Sequence, residues 1–238
     1  MFRSAVKQRL QKLGYRISRY DPRRDPLAVR KLFFESHGID VVYDVGANAG
    51  QFALELRDSG YRGKLISFEP LSSAFKKLSE AAKNDPNWQV QNCALGNTEA
   101  TAEINVSENS WSSSLLEVLP TCVLAAPDSV YIGKEAISIK TLDTLFHKYC
   151  DPDSRVFLKI DTQGFTKKVL EGGEHSLKTI RGLQIEISLV PLYEGEPLIG
   201  ELVSFLQRRG FTLIFISPEF IDNRTGQQLQ VNGLFFRL

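Results

Sequence analysis

The sequence predicts an α/β fold: a Rossmann-like, mostly parallel sheet with an antiparallel final strand and a small β insertion. Three observations predict it. From Ile39 onward, short β-branched apolar runs alternate with amphipathic helical stretches. The first run, Ile39 to Val45, leads into a glycine-containing turn that opens a helix. The last two, Phe211 to Ile216 and Val231 to Phe236, are separated only by a loop with Asn223 and Gly226, as an antiparallel pair requires.

The elements follow in order. Phe2 to Leu13 reads as a basic helix, and Asp21-Pro22 and Asp25-Pro26 as loop markers. Leu27 to Ser36 reads as a second helix closed near Gly38, so residues 1–38 form a helical extension and residues 39–238 the main domain. Gln51 to Arg57 is a helix, Lys64 to Phe68 a strand, Ser72 to Lys83 a helix and Trp88 to Asn92 a strand. The rhythm then breaks. Thr101 to Val106 alternates as a half-exposed strand, Ser107 to Ser114 is polar and turn-like, and Ala136 to Lys140 is extended, which predicts a small antiparallel insertion with a long loop. Helix Leu142 to Tyr149, strand Val156 to Ile160, helix Thr166 to Leu170, strand Leu183 to Ile187 and helix Leu198 to Arg209 resume the alternation.

Composition excludes little but helps. The 238 residues are 42% hydrophobic and 24% charged, enough for one full core. A balance of 29 basic against 28 acidic residues gives no global signature of nucleic-acid binding. The imbalance is local: Arg3, Lys7, Arg9, Lys12, Arg16, Arg19, Arg23 and Arg24 face only Asp21. That segment reads either as a solvated amphipathic helix or as a peripheral contact with anionic lipid. Three scattered cysteines without a C-x-x-C pair predict a reduced, cytoplasmic chain, peripheral at the inner membrane face if the basic segment docks. No apolar run reaches the roughly 20 residues that a membrane helix needs.

The turn Asp44-Val-Gly46-Ala-Asn48-Ala-Gly50 carries the chemistry. Gly46 permits a tight turn and close backbone approach, Asn48 is a residue that tolerates positive φ, and Gly50 lets the helix start pack on the strand. Glu69 follows the next strand about 20 residues on, the spacing at which a carboxylate takes ribose hydroxyls. Asn92-Cys93-Ala94 ends the third strand, where an adenine would lie. A dinucleotide brings a pyrophosphate, which an acid at Asp44 would repel. S-adenosylmethionine brings an ammonium and a sulfonium, which it suits. The turn therefore favours S-adenosylmethionine over a dinucleotide, with a purely structural strand-turn-helix as the remaining reading.

Taken together, Asp44-Val-Gly-Ala-Asn-Ala-Gly50, Phe68-Glu69-Pro70, Ala94-Leu95-Gly96, Leu158-Lys-Ile-Asp161-Thr-Gln-Gly-Phe165, Gln184-Ile-Glu186, Asn223-Arg-Thr-Gly226 and Val231-Asn-Gly-Leu-Phe-Phe236 resemble the FkbM family of methyltransferases. The resemblance runs from about Ile39 to the C-terminus. It implies a class I methyltransferase fold and O-methylation of hydroxyls in macrolides or, in bacteria, in sugars of polysaccharides and glycolipids. One position departs: many members carry a glutamate where this chain has Thr166.

Strand ends nominate the catalytic groups. Asp161 and Glu186 end two buried strands on the ligand-binding edge of the sheet, and either could take a hydroxyl proton. The alternatives are that Asp161 caps a helix and that Glu186 pairs with Lys159. Together they could hold a divalent cation, which the sequence neither requires nor excludes. His37, His147 and His175 have no metal-ligand spacing. Trp111, Ser112 and Ser113, with Tyr193, offer stacking and hydroxyl contacts to a sugar acceptor. A methyltransferase of a small natural product and a non-catalytic adenosyl-ligand binding module remain the competing functions.

Overall fold

The structure, a computed structural model, describes residues 9–15 and 19–238. Most of the expected N-terminal basic helix, including residues 2–8, lies outside the described residues. In chain order the helices are α1 (Pro26–His37), α2 (Gln51–Asp58), α3 (Ser72–Ala82), α4 (Pro120–Ala125), α5 (Leu142–Tyr149), α6 (Thr166–Glu171) and α7 (Ile199–Gln207). The strands are β1 (Val41–Val45), β2 (Lys64–Phe68), β3 (Trp88–Gln91), β4 (Ala94–Leu95), β5 (Ala100–Ser107), β6 (Tyr131–Lys140), β7 (Val156–Ile160), β8 (Gly182–Ser188), β9 (Thr212–Pro218) and β10 (Gln230–Phe236).

Seven strands form the main sheet in the order β3-β2-β1-β7-β8-β10-β9. The first five run parallel, and β10 runs antiparallel to both of its neighbours. Strand order reverses between β1 and β7, so their carboxyl ends splay a crevice at the switch point, where ligands enter such sheets.

Both faces are covered, which is why β1 and β7 are buried along their whole length. Tyr43, Phe68, Leu158 and Leu183 face α5, α6 and α7 through Phe146, Leu170 and Phe205. Val42, Leu65, Phe157 and Phe236 face α1, α2 and α3 through Phe34, Leu56 and Leu78. Helix α1 is thus stacked on the sheet, with the Phe34 and Phe157 rings 4.6 Å apart. It begins earlier than its apolar pattern suggests. Asp25 caps it by accepting from the Leu27 and Ala28 amides, and Pro26 occupies the first turn, where its missing N–H costs nothing.

The insertion is a three-stranded sheet in the order β4-β6-β5. The antiparallel β5–β6 pair is as expected, but β6 starts at Tyr131 rather than Ala136, and β4 adds a parallel edge. The mostly solvated strand β6 lacks an apolar alternation over its first half, which hid it from a periodicity argument. Helix α4 precedes it in the chain, where no helix was expected.

Candidate active site

The site grows from the β1 turn. Gly46 has φ +75°, and a Cβ there would lie 1.8 Å from the Asp161 carbonyl oxygen, so only glycine lets the ends of β1 and β7 meet. Asn48 does adopt positive φ, at +46°, and its side-chain oxygen accepts the Ala49 amide at 2.8 Å. Gly50 opens α2 at φ +90°, and a Cβ would strike the Trp88 ring at 2.8 Å; it permits packing and does not line the cavity.

Glu69 follows β2 and is buried. Its Oε2 accepts the Asn48 amide at 2.8 Å and its Oε1 the Leu71 amide at 2.9 Å. Burial pushes its carboxyl up to about 7 against those two donors. Each oxygen keeps a lone pair for a further hydroxyl. Cys93 and Ala94 line the same cavity, whereas Asn92 turns back and braces the strand end by donating to the Glu69 and Pro70 carbonyls at 2.9 and 3.0 Å.

Asp44 also stands away from the cavity. It is fully buried on the α2 face, 3.1 Å from Lys159 Nζ, which lies opposite it in the β1–β7 register. Ser67 Oγ donates to its other oxygen at 3.4 Å, and Trp88 Nε1 donates to Ser67 Oγ at 2.9 Å. One polar side chain from each of four adjacent strands thus forms a buried ladder. Burial raises the Asp44 carboxyl, and the Lys159 ammonium opposes the shift. Burial also works against the Lys159 charge, but the surrounding carboxylates more than offset it and hold the ammonium above its usual range.

Lys159 links this ladder to the crevice. Its Nζ donates to the Gly46 carbonyl at 3.0 Å and lies 3.5 Å from Asp161 Oδ2. Asp161 is partly exposed at the cavity wall and does not cap α6, whose N-cap residue is Phe165. Glu186 does not pair with Lys159. Its Oε2 accepts from Gln163 Nε2 and from Gln230 Nε2, each at 2.9 Å. Gln163 Nε2 also donates to Asp161 Oδ1 at 2.8 Å, so one amide nitrogen joins the two predicted carboxylates with its two protons. Burial, reinforced by the Asp161 and Glu219 carboxylates, raises Glu186 well above the usual carboxylate range.

Gln163 was not foreseen. Its signal was its place in Asp161-Thr-Gln-Gly164, where it adopts φ +47°, a conformation rare for a non-glycine residue. Tyr193 was expected at the acceptor but is buried, and its hydroxyl donates to Gln163 Oε1 at 2.8 Å. Glu219, beyond β9, also reaches the cavity and had no sequence signal. Of the residues expected on the polar loop, Ser113 and the exposed Trp111 line the cavity, and Ser112 lines the adjoining cleft. The loop is ordered by Asn109, whose Oδ1 accepts from Ser112 N and Ser107 Oγ. Thr166 is buried at the start of α6.

The cavity lies at the carboxyl ends of β1 and β7. Its walls pair apolar Phe68, Leu71, Leu95 and Phe165 with acidic Glu69, Asp161, Glu186 and Glu219. Among the described residues lining it, none is Lys, Arg or His. A pyrophosphate would find no side-chain cation here, whereas a ribose hydroxyl pair, an adenine and a cationic sulfonium find Glu69, an apolar wall and carboxylates. The residues fit S-adenosylmethionine. Among the described residues, no cluster of three or more His, Cys, Asp or Glu could hold a metal, and no helix is long and apolar enough to cross a membrane.

Of the comparisons with known proteins, the family match agrees with this chemistry. No curated protein sequence matches the chain. Solved structures of similar fold include an rRNA methylase from Streptococcus thermophilus, at 12% identity and TM-score 0.47 over 90% of this chain and 98% of that one. Another is magnesium protoporphyrin IX methyltransferase from Synechocystis PCC 6803 with bound S-adenosylmethionine, at 10% identity and TM-score 0.48 over 99% and 96%. The Methyltransferase FkbM domain matches residues 44–213. The chain belongs to the FkbM family of methyltransferases, and its methyl donor is S-adenosylmethionine.

Proposed function

We propose that the protein methylates a hydroxyl of a sugar in a polysaccharide or glycolipid. The observation that carries this reading is the Asp161–Gln163–Glu186 arrangement at the cavity wall. Methyl transfer to oxygen needs a group that removes the hydroxyl proton, and a positioned carboxylate does so for about 10²–10⁴ in rate.

S-adenosylmethionine supplies an electrophilic methyl group with a neutral thioether as leaving group. Glu69 would hold its ribose hydroxyls, and Phe68, Cys93 and Ala94 would flank its adenine. Asp161 accepts the proton of the acceptor hydroxyl as the new C–O bond forms. Gln163 keeps both carboxylates in place. Burial and the neighbouring carboxylates favour the protonated form of Glu186, which leaves the proton-accepting role to Asp161. The test is transfer of labelled methyl from S-adenosylmethionine to a panel of glycans and glycolipids. Product carrying the label on oxygen supports the reading. Label on nitrogen or carbon, or on RNA, overturns it.

A further inference from the structure

A second cleft opens beside the cofactor cavity. The two share Trp111, Gln163, Glu186 and Glu219, so the second begins at Glu186 and at the Gln163 amide that links it to Asp161. Resting on the sugar-methylation reading, we propose that this cleft is the acceptor subsite and that it selects a neutral, hydroxyl-rich ring over a phosphorylated or carboxylated one.

Three features argue for it. Position is the first: Gln163 lines both spaces and donates to Asp161 Oδ1 at 2.8 Å, so a group bound in the cleft lies one side chain from Asp161 while the cofactor fills the other cavity. Shape is the second. Trp111 presents an exposed indole at 64% relative exposure, Phe220 adds a second ring, and the loop bearing Trp111 is fixed by hydrogen bonds among Ser107, Asn109 and Ser112. The loop is also pinned to the far side of the cleft, because the Asn109 amide donates to the Asp128 carbonyl at 3.1 Å. An aromatic face flanked by carboxylates and amides suits the flat C–H face and equatorial hydroxyls of a pyranose.

Charge is the third. Asp128, Glu186 and Glu219 line the cleft, and among the described residues lining it none is Lys, Arg or His. The nearby cation, Lys159, is already paired with Asp44 and Asp161. A phosphate or carboxylate on the acceptor would meet the Asp128 and Glu219 carboxylates without a counter-charge. A neutral ring meets acceptors for its hydroxyl protons instead.

The test is saturation-transfer NMR on protein loaded with S-adenosylhomocysteine. The probes are the methyl glycosides of glucose, mannose, galactose and rhamnose, with glucose 6-phosphate, mannose 6-phosphate and glucuronic acid as anionic counterparts. At least one neutral glycoside should bind, and the anionic counterparts should bind at least about tenfold more weakly. Trp111→Ala should weaken the neutral glycoside about tenfold with unchanged affinity for S-adenosylhomocysteine. The double variant Asp128→Lys, Glu219→Lys should raise the affinity for the sugar phosphates. Binding of the phosphates as tightly as the glycosides would overturn the proposal. So would indifference of glycoside binding to Trp111→Ala, or absence of any glycoside signal in protein that binds S-adenosylhomocysteine. The underlying reading fails separately: if labelled methyl reaches nitrogen, carbon or RNA, sugar methylation falls whatever the cleft binds.

Discussion

The Tyr193 hydroxyl donates to Gln163 Oε1 at 2.8 Å and so anchors the end of that amide that faces away from the carboxylates. With Oε1 turned to the phenol, Nε2 points at Asp161 and Glu186. The reverse orientation would set a carbonyl against two carboxylates. Tyr193 is therefore a positioning residue, remote from the reacting atoms but controlling both acids through one amide.

Tyr193→Phe should leave the fold and cofactor affinity intact and lower kcat by about tenfold. Because it loosens the link between the two acids, the acid limb of the pH–rate profile should move, which a packing defect alone would not do. Steady-state kinetics across pH, with calorimetry for S-adenosylhomocysteine, make the check. An unmoved profile removes the role.

Asp161→Asn keeps shape and polarity but cannot accept a proton. The rate should fall by about 10² or more while melting temperature and cofactor affinity persist. A folded variant turning over at the wild-type rate would shift the assignment to Glu186.

Glu69 makes cofactor binding depend on pH. Its carboxyl is raised to about 7 in the folded protein by burial, so it is protonated below that value and weak as an acceptor. The affinity for S-adenosylhomocysteine should rise as pH increases from 6 to 8, and Glu69→Gln should flatten the dependence. For the free protein the sign is opposite. A raised native pKa favours folding below the unfolded value near 4.5, and that contribution, at most about 3 kcal/mol, is lost as pH rises through about 7. Thermal shift by S-adenosylhomocysteine should therefore be larger at pH 8 than at pH 6. A shift that is equal at both values would contradict this account.

Lys159→Met would leave Asp44 buried without its counter-charge. Breaking a buried pair costs about 3–5 kcal/mol, roughly 10 °C in Tm for a chain of this size. Adding Asp44→Asn should restore more than half of the loss, because it removes the stranded charge. Differential scanning calorimetry of the two singles and the double would measure the coupling, and additive losses would show that the pair is not the cause.

Much of the molecule was legible in its sequence. Residues with local tasks read true: Gly46 and Asn48 needed positive φ, Glu69 had to follow the second strand, and the βα rhythm around Val41–Val45 and Val156–Ile160 announced a parallel sheet buried on both faces. These features depend on a residue's own conformation or on short-range periodicity, and both are written in neighbouring letters. The tertiary structure decided the partnerships. Asp44 looked like a cofactor ligand because it adjoins the turn, yet side chains alternate across a strand, and its register opposite Lys159 turns it beneath α2. Glu186 found Gln163 and Gln230 rather than Lys159, and Glu219 came to the cavity from beyond β9. Each of these pairings joins residues far apart in the chain, or turns on which face a side chain takes. They are fixed by strand order and register, which arise only when the whole sheet closes its core.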